Sequence, residues 1–370
     1  MAFQINCIEG FDQYTNDGDL STGFTIVNPS SYALLAGYGG REGRGVIAQE
    51  ASSGFSKQLL SGPYTSIQVG MAFILDVGGE IDPGLSCCLM QFSDSSYHTM
   101  LSIVYNSNGT ISLYTGGTNF LNGTLIAGPF NFGGRLPSSS NAAWFYLEAQ
   151  VYFSSTGGQV ALSMSTASTT TSVLLTGLNT APSGTAGTCE FVTFGITGYA
   201  LVMDDLYIGS GWYGSNTLGS GFLGDCRVLT NLPSSDGTYL QWSFFGLNGA
   251  SGSTTLALNG LNPSANDVGL YSNTVGQTST CHVAAPTFTG NAQAVSVAFE
   301  GSSTSATALV KPVYIDNAGG VHYGTGWGVD AASGVYTQRD TIFSVDPNTG
   351  SPWTQSALTG AQFGVELSST

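Results

Sequence analysis

The chain has 370 residues, of which 42% are hydrophobic and only 8% charged, against a usual charged share of ~25%. Seven Lys and Arg against 23 Asp and Glu leave a net charge of −16; no basic patch can form, so binding to a nucleic-acid backbone is excluded and attraction to anionic lipid is disfavoured. With 20 Phe, 17 Tyr and 5 Trp the composition is that of a folded protein rather than a disordered one, and the length suits two domains with adequate cores.

The amino-terminal segment MAFQINCIEGFDQY lacks the basic and long apolar stretches of a secretory signal, so synthesis in a cytosol is expected. No apolar run of roughly 18 residues occurs, so no membrane insertion is expected. Hydrophobic residues then alternate with period two almost everywhere. In LSIVYNSNGTISLY (101–114), Leu101, Ile103 and Tyr105 share one face and Ile111 and Leu113 another, with Asn108-Gly109 as the hairpin turn. A second hairpin is predicted in WFYLEAQVYFSSTGGQVALSMST (144–166). There Phe145, Leu147, Ala149, Val151 and Phe153 point one way, Gly157-Gly158 makes the turn, and Val160, Leu162 and Met164 continue the apolar face. Further turn signals fall at Asn122-Gly123, Asp236-Gly237, Asn248-Gly249 and Asn259-Gly260. No capped window of helical length carries a 3.6-residue apolar stripe, because Gly and β-branched residues interrupt each candidate.

Many short strands between Gly-rich turns predict an all-β protein of sandwiches or barrels. A first domain spans 1–211. A Gly/Ser-rich linker, 212–231, holds one short strand near Phe222–Leu229, and a C-terminal β-domain spans 232–370. The best strands of that domain are Ala294–Glu300, Thr307–Ile315 and Gln362–Leu367, and Asp346-Pro347-Asn348-Thr349-Gly350 is a turn. None of the six cysteines, Cys7, Cys87, Cys88, Cys189, Cys226 and Cys281, has C-x-x-C spacing. They are expected as reduced thiols packed like small hydrophobes.

Several segments carry a resemblance. GYGGREGRGVIAQE (37–50), IQVGMAFILD (67–76), the 101–114 hairpin, WFYLEAQVYF (144–153) and VMDDLYIGSG (202–211) resemble a concanavalin A-like, laminin-G-like jelly-roll sandwich. FLGDCRV (222–228), VGLYSNTVGQ (268–277) and VDPNTGSPWTQSALTGAQFGVEL (345–367) resemble a tailed-phage virion structural protein that joins such a jelly roll to a smaller C-terminal β-sandwich domain. The resemblance implies a virion protein made in the host cytoplasm, with other virion proteins as partners. It implies either a tail-associated fibre or receptor-binding component that contacts a host-surface glycan or protein, or a capsid decoration or head-fibre protein. Symmetric particles favour a homo-oligomer, most simply a trimer. The resemblance brings no catalytic residues.

The residues themselves give little chemistry. His98, His282 and His322 have no nucleophile at a recognisable spacing, and no G-x-S-x-G elbow occurs. A polysaccharide-cleaving enzyme is the alternative of another class, since jelly-roll glucanases carry E-x-D-x-x-E on one strand and need two carboxylates. Here Glu80-Ile81-Asp82 begins that pattern but continues Pro83-Gly84-Leu85, and Glu148 lies alone in its strand. The expectation is therefore no enzymatic activity. Asp204-Asp205 are hard ligands of the kind Ca²⁺ prefers, but two carboxylates are too few for a six- to eight-oxygen site and a strand aims only one of them to a given side. A structural role is favoured for both, and no cofactor is expected. Opposite the core in the strand 144–152 lie Trp144, Tyr146, Glu148, Gln150 and Tyr152, a pattern that suits sugar stacking and hydroxyl bonding. It suits equally a protein interface or the second layer of a two-sided core, and the interface or core reading is favoured because a strand inside a sandwich is often covered on both sides. Trp212 and Tyr213 are candidate docking contacts. Asn108-Gly-Thr and Asn122-Gly-Thr match glycosylation sequons and are read as hairpin turns.

Overall fold

The computed structural model describes residues 3–14, 20–21, 23–27, 34–41, 44–48, 53–59, 62–75, 86–117, 122–132, 144–197, 201–213, 218–219, 221–245, 269–305, 307–329 and 337–370. The chain divides into two compact units, Met1–Val228 and Leu229–Thr370.

The first unit contains β1 (Gln4–Glu9), β2 (Thr25–Val27), β3 (Leu34–Gly39), β4 (Arg44–Ala48), β5 (Ser53–Gln58), β6 (Ser66–Leu75), β7 (Cys87–Ser93) and β8 (Thr99–Tyr105). It continues with β9 (Ile111–Thr115), β10 (Thr124–Phe130), β11 (Phe145–Tyr152), β12 (Gly158–Ser165), β13 (Thr170–Leu178), β14 (Phe191–Thr197) and β15 (Leu201–Ser210). These pair antiparallel into two sheets. One runs β13-β12-β11-β6-β15-β4-β3 with β1 also on β15; the other runs β10-β9-β8-β7-β14-β5-β2. Alternation puts Ile67, Val69, Met71 and Phe73 of the first sheet against Leu89, Phe92, Leu101, Ile103, Ile111 and Leu113 of the second, in one buried core. Phe55 joins the two ends of an aromatic cluster, with ring centroids 5.5 Å from Phe11, 5.1 Å from Phe24 and 5.4 Å from Phe194.

The 101–114 hairpin forms as expected. Tyr105 pairs with Ile111, and Gly109 takes φ 84° in the turn. Asn108 Oδ1 accepts the Thr110 N–H. The 144–166 hairpin also forms, but Gly157-Gly158 does not act as a positive-φ turn. Gly158 is the first residue of β12, and a Cβ there would stand 2.1 Å from Thr180 Oγ1 and 2.7 Å from Leu178 O. Close approach of a neighbouring strand, not turn geometry, demands glycine.

The second unit contains β16 (Pro233–Leu240), β17 (Ser243–Phe245), β18 (Gly269–Tyr271), β19 (Thr278–Val283), β20 (Asn291–Ala292), β21 (Val295–Gly301) and β22 (Leu309–Ile315). It ends with β23 (Val321–Tyr323), β24 (Trp327–Gly328), β25 (Thr337–Phe343), β26 (Trp353–Thr354), a single helical turn α1 (Gln355–Leu358), and β27 (Gln362–Ser369). A six-stranded sheet runs β16-β19-β27-β22-β23 with β24 on β22, and the ribbons β17-β18, β20-β26 and β21-β25 stand beside it. Tyr314 and Phe363 of the sheet bury against Phe343 and Trp353. Asp236-Gly237 is not a turn: it lies within β16, at a register irregularity against β19. The Asp346–Gly350 turn forms, with the Asp346 carboxylate accepting from Asn348 N and Thr349 Oγ1. Asn248-Gly249 and Asn259-Gly260 fall outside the described residues.

Candidate functional site

The outward face of the β6-β11-β15 part of the first sheet collects the polar residues of those strands. Register sets Gln150 opposite Gln68, Glu148 opposite Gly70 and Tyr146 opposite Ala72, while Tyr207 flanks Gly70 from the other side. The rings of Tyr146 and Tyr207 lie over Gly70, where an added Cβ would stand 2.2 Å from Tyr207 Cε1 and 2.7 Å from Tyr146 Oη. Only glycine leaves room for both rings there, with Tyr207 Oη turned to Glu148 and Tyr146 Oη donating to Asp205 O at 3.2 Å.

Glu148 Oε1 accepts from Tyr207 Oη at 2.5 Å and Gln68 Nε2 at 3.5 Å. Gln68 Nε2 also donates to Tyr207 Oη, and Gln150 Nε2 to Gln68 Oε1. Burial pushes the Glu148 carboxyl up to about 7, against the opposing effect of its hydrogen bonds from Tyr207, Gly224, Leu223 and Gln68. Such a carboxyl beside a phenol and two amides suits proton transfer or hydroxyl binding.

The cluster is covered by the chain itself. The Leu223 and Gly224 N–H groups donate to Glu148 Oε1 and Oε2, each at 2.8 Å. Gly219 N donates to Gln150 Oε1, Gly221 O accepts from Gln150 Nε2 at 2.6 Å, and Tyr213 N donates to Gln68 Oε1. Leu223 and Cys226 pack with Phe3, Trp144, Tyr146 and Tyr207 as a second small core. The expected linker is thus largely a strap, and the first unit extends to Val228 instead of ending near 211. No strand forms at Phe222–Leu229: the N–H groups of Leu223 and Gly224 go to Glu148, that of Val228 to Asp205 and that of Cys226 back to Gly224 O, instead of to a neighbouring strand.

Asp204 and Asp205 anchor the end of the strap. A bulge in β15 falls between Asp204 and Tyr207, with Asp205 at φ 54°. Strict alternation is therefore broken, and both carboxylates reach Arg41, a correction to the expectation that only one could face a given side. Asp204 Oδ2 accepts the Arg41 N–H at 2.7 Å. Asp205 Oδ2 pairs with Arg41 Nη1 at 3.1 Å while Arg41 Nη2 grips Asp225 at 2.7 and 2.9 Å. Asp205 Oδ1 accepts from Val228 N. Burial, then the neighbouring Asp205 charge, raises the Asp204 carboxyl to about 7. Asp205 is raised by burial and held down in part by the Val228 N–H and by Arg41. Among the described residues, no group of three or more His, Cys, Asp or Glu is arranged to hold a metal ion.

The five expected ligand-face residues are therefore not one open surface. Tyr146, Glu148 and Gln150 are buried under the strap and Trp144 is half-buried, while Tyr152 is 38% exposed. The Tyr152 ring meets Trp212 edge-on at 6.4 Å, and Tyr213 meets Phe3 at 5.6 Å, so both expected docking aromatics pack on their own unit. His322 Nε2 contacts Asp316 Oδ2 at 3.0 Å. Glu80 and Asp82 lie outside the described residues.

A second place was not singled out from sequence. In the turn between β7 and β8, Tyr97 is 62% exposed and stacks at 4.2 Å on Phe191. Beneath it, buried Asp94 accepts the N–H groups of Ser96, His98 and Ala186, each at 2.9 Å. The run Ser95-Ser96-Tyr97-His98 is polar apart from one ring, and nothing in its pattern separates a platform from an ordinary loop.

The N-terminal unit is a jelly roll. No family model and no curated protein matches the chain. Several solved structures are similar to the chain at low identity and low TM-score. An alginate lyase, vAL-1, from Chlorella virus is 9% identical with TM-score 0.37, over 56% of this chain and 100% of its own. The catalytic domain of a glycoside hydrolase family 131 protein from Coprinopsis cinerea is 16% identical with TM-score 0.36, over 59% and 99%. The CBM2 module of the evolved Dit of Lactobacillus casei BL23 phage J-1 is 11% identical with TM-score 0.33, over 56% and 96%. The expectation of no enzymatic activity is corrected: structures to which the chain is similar include glycan-active enzymes, among them an alginate lyase, two family 131 glycoside hydrolases and a sialidase.

Proposed function

We propose that the chain is a structural protein of a bacteriophage virion, a tail-associated fibre or receptor-binding component whose jelly roll contacts a host-surface glycan or protein. The observation that carries the binding role is the 94–98 turn. It holds an aromatic ring in solvent at the rim of a rigid sandwich, whereas the sheet face with the richest polar chemistry is occupied by the strap. Loops fixed on a rigid scaffold are where recognition concentrates. The low charge suits close packing of copies on a particle, and a homotrimer with other virion proteins as neighbours is the assembly in keeping with particle symmetry.

The test uses the full chain, clustered on fluorescent beads, and host cells. Saturable adsorption that competes with whole particles supports the reading; no adsorption overturns it. Antibody labelling along the tail is the expected location, and labelling confined to the head replaces this reading with capsid decoration. Light scattering on the purified chain reads the trimer directly.

A further inference from the structure

We propose that the 94–98 turn is a saccharide subsite in which the ring of Tyr97 stacks on the apolar face of a pyranose from a neutral or amino-sugar glycan. This rests on the binding role proposed above and names its ligand class and its central residue.

The first argument is conformational. Tyr97 sits at φ 62°, in the left-handed region that side chains with a Cβ disfavour and where glycine or asparagine is the usual occupant. An aromatic residue kept there is held against the local preference of the chain. The turn enforces it: Asp94, 2% exposed, accepts three backbone N–H groups, and the Tyr97 N–H closes the turn on Asp94 O at 3.0 Å. Burial alone would raise the Asp94 carboxyl, but the Ala186, His98 and Ser96 N–H groups outweigh it and hold it below the usual range. The clamp therefore stays ionised at neutral pH.

The second argument is geometric. One face of the ring is stacked on Phe191, with an interplanar angle of 25°, and Phe191 itself is 4% exposed. The ring is fixed from below while most of its surface meets solvent. A rigid aromatic plane offers large contact area at little conformational cost. Hydroxyl partners stand in the same turn: Ser95, Ser96 and His98 are all exposed.

The third argument selects the ligand. Tyr97 is the only apolar side chain of the turn, too little for the apolar centre of a protein interface, which needs about 800 Å² from each partner. A flat ring bordered by hydroxyls and an imidazole matches one sugar face and its rim of hydroxyls. The chain carries net charge −16, the turn holds no Lys or Arg, and His98 Nδ1 is already set against Asp94 Oδ2 at 3.3 Å, so a uronate or sialate would meet repulsion without a free pairing cation. A neutral or amino-bearing ring meets none.

The experiment presents the clustered full chain to an array of neutral, amino-sugar and uronate oligosaccharides. The best hit is then titrated with wild type, Tyr97→Ala, Tyr97→Gly and Tyr97→Trp. Binding should be confined to neutral and amino sugars. Affinity should fall about tenfold or more in the Ala and Gly variants and stay within about threefold in the Trp variant. The thermal midpoint of Tyr97→Gly should equal or exceed that of Tyr97→Ala, since glycine relieves the positive φ; this shows that lost binding is not lost folding. Wild-type binding to none of the neutral or amino sugars, or preference for uronates, overturns the ligand class. Unchanged affinity in both the Ala and Gly variants overturns the site. If host-cell adsorption persists in either case, the binding role stands and only this subsite falls.

Discussion

Glu148 makes the pH response of the first unit a direct test of the buried strap contacts. Its carboxyl rises from 4.5 to about 7 in the fold, chiefly through burial. Between those values the folded state holds a proton that the unfolded chain has released, so stability falls as pH rises, with a slope of about −1.4 kcal/mol per pH unit for this one group. The contribution is fully present below pH 4.5 and is lost as pH passes through 7. At ~1.4 kcal/mol per tenfold change in proton affinity the whole span amounts to about 3 kcal/mol. Asp204, raised to about 7 by burial and by Asp205, acts in the same direction. Urea denaturation of wild type and Glu148→Gln from pH 4.5 to 8 isolates the Glu148 share, because every other titrating group is common to both. The stability of wild type relative to the variant should decline by about 3 kcal/mol across that range. A difference that is flat with pH, or that grows in favour of wild type as pH rises, would falsify the assignment of the raised carboxyl to Glu148.

The other expectations concern packing. Arg41→Ala should destabilise the first unit by about 3 kcal/mol or more, read as a lower thermal midpoint, because it strands the buried Asp205 carboxylate; Arg41→Lys should not restore stability, since it cannot grip Asp225 with two bonds. Phe55→Ala should cost about 3–5 kcal/mol in urea denaturation, as it removes a fully buried ring that joins three others. Thiol titration should find close to six groups in denaturant and few in the native protein: all six cysteines are free, and all but Cys226 are buried. Disulfide-bonded chains would refute the last of these.

Strands were legible because a half-buried sheet writes its inward face at every second residue, and Leu101, Ile103, Ile111 and Leu113 all enter the core as that rule requires. Departures from period two were not legible. The Asp205 bulge depends on an arginine 164 positions away, and Gly158 is demanded by Thr180, a residue of the segment after β13. Asp236-Gly237 carries the same dipeptide signal as a hairpin turn, yet pairing with β19 draws it into a strand. Local chemistry sets what a segment is able to do, and long-range partners decide which of those options it takes.

The strap shows why the outward face of 144–152 was ambiguous. Trp144, Tyr146, Glu148, Gln150 and Tyr152 read alike whether they meet a ligand or the protein's own chain, because both present hydrogen-bond donors and acceptors to the same side chains. What decides is the segment 75 positions on from Glu148, where Leu223 and Gly224 supply the N–H groups that an external ligand would otherwise supply. Gly219 and Gly224 take φ 83° and 87° where that backbone turns its N–H groups onto the sheet, so a composition typical of a flexible linker serves here as a fitted cover. Tyr97 is the opposite case. Its exposure is set by a turn rather than by a sheet face, so no periodicity marks it, and its positive φ becomes visible only once Asp94 has gathered the surrounding N–H groups.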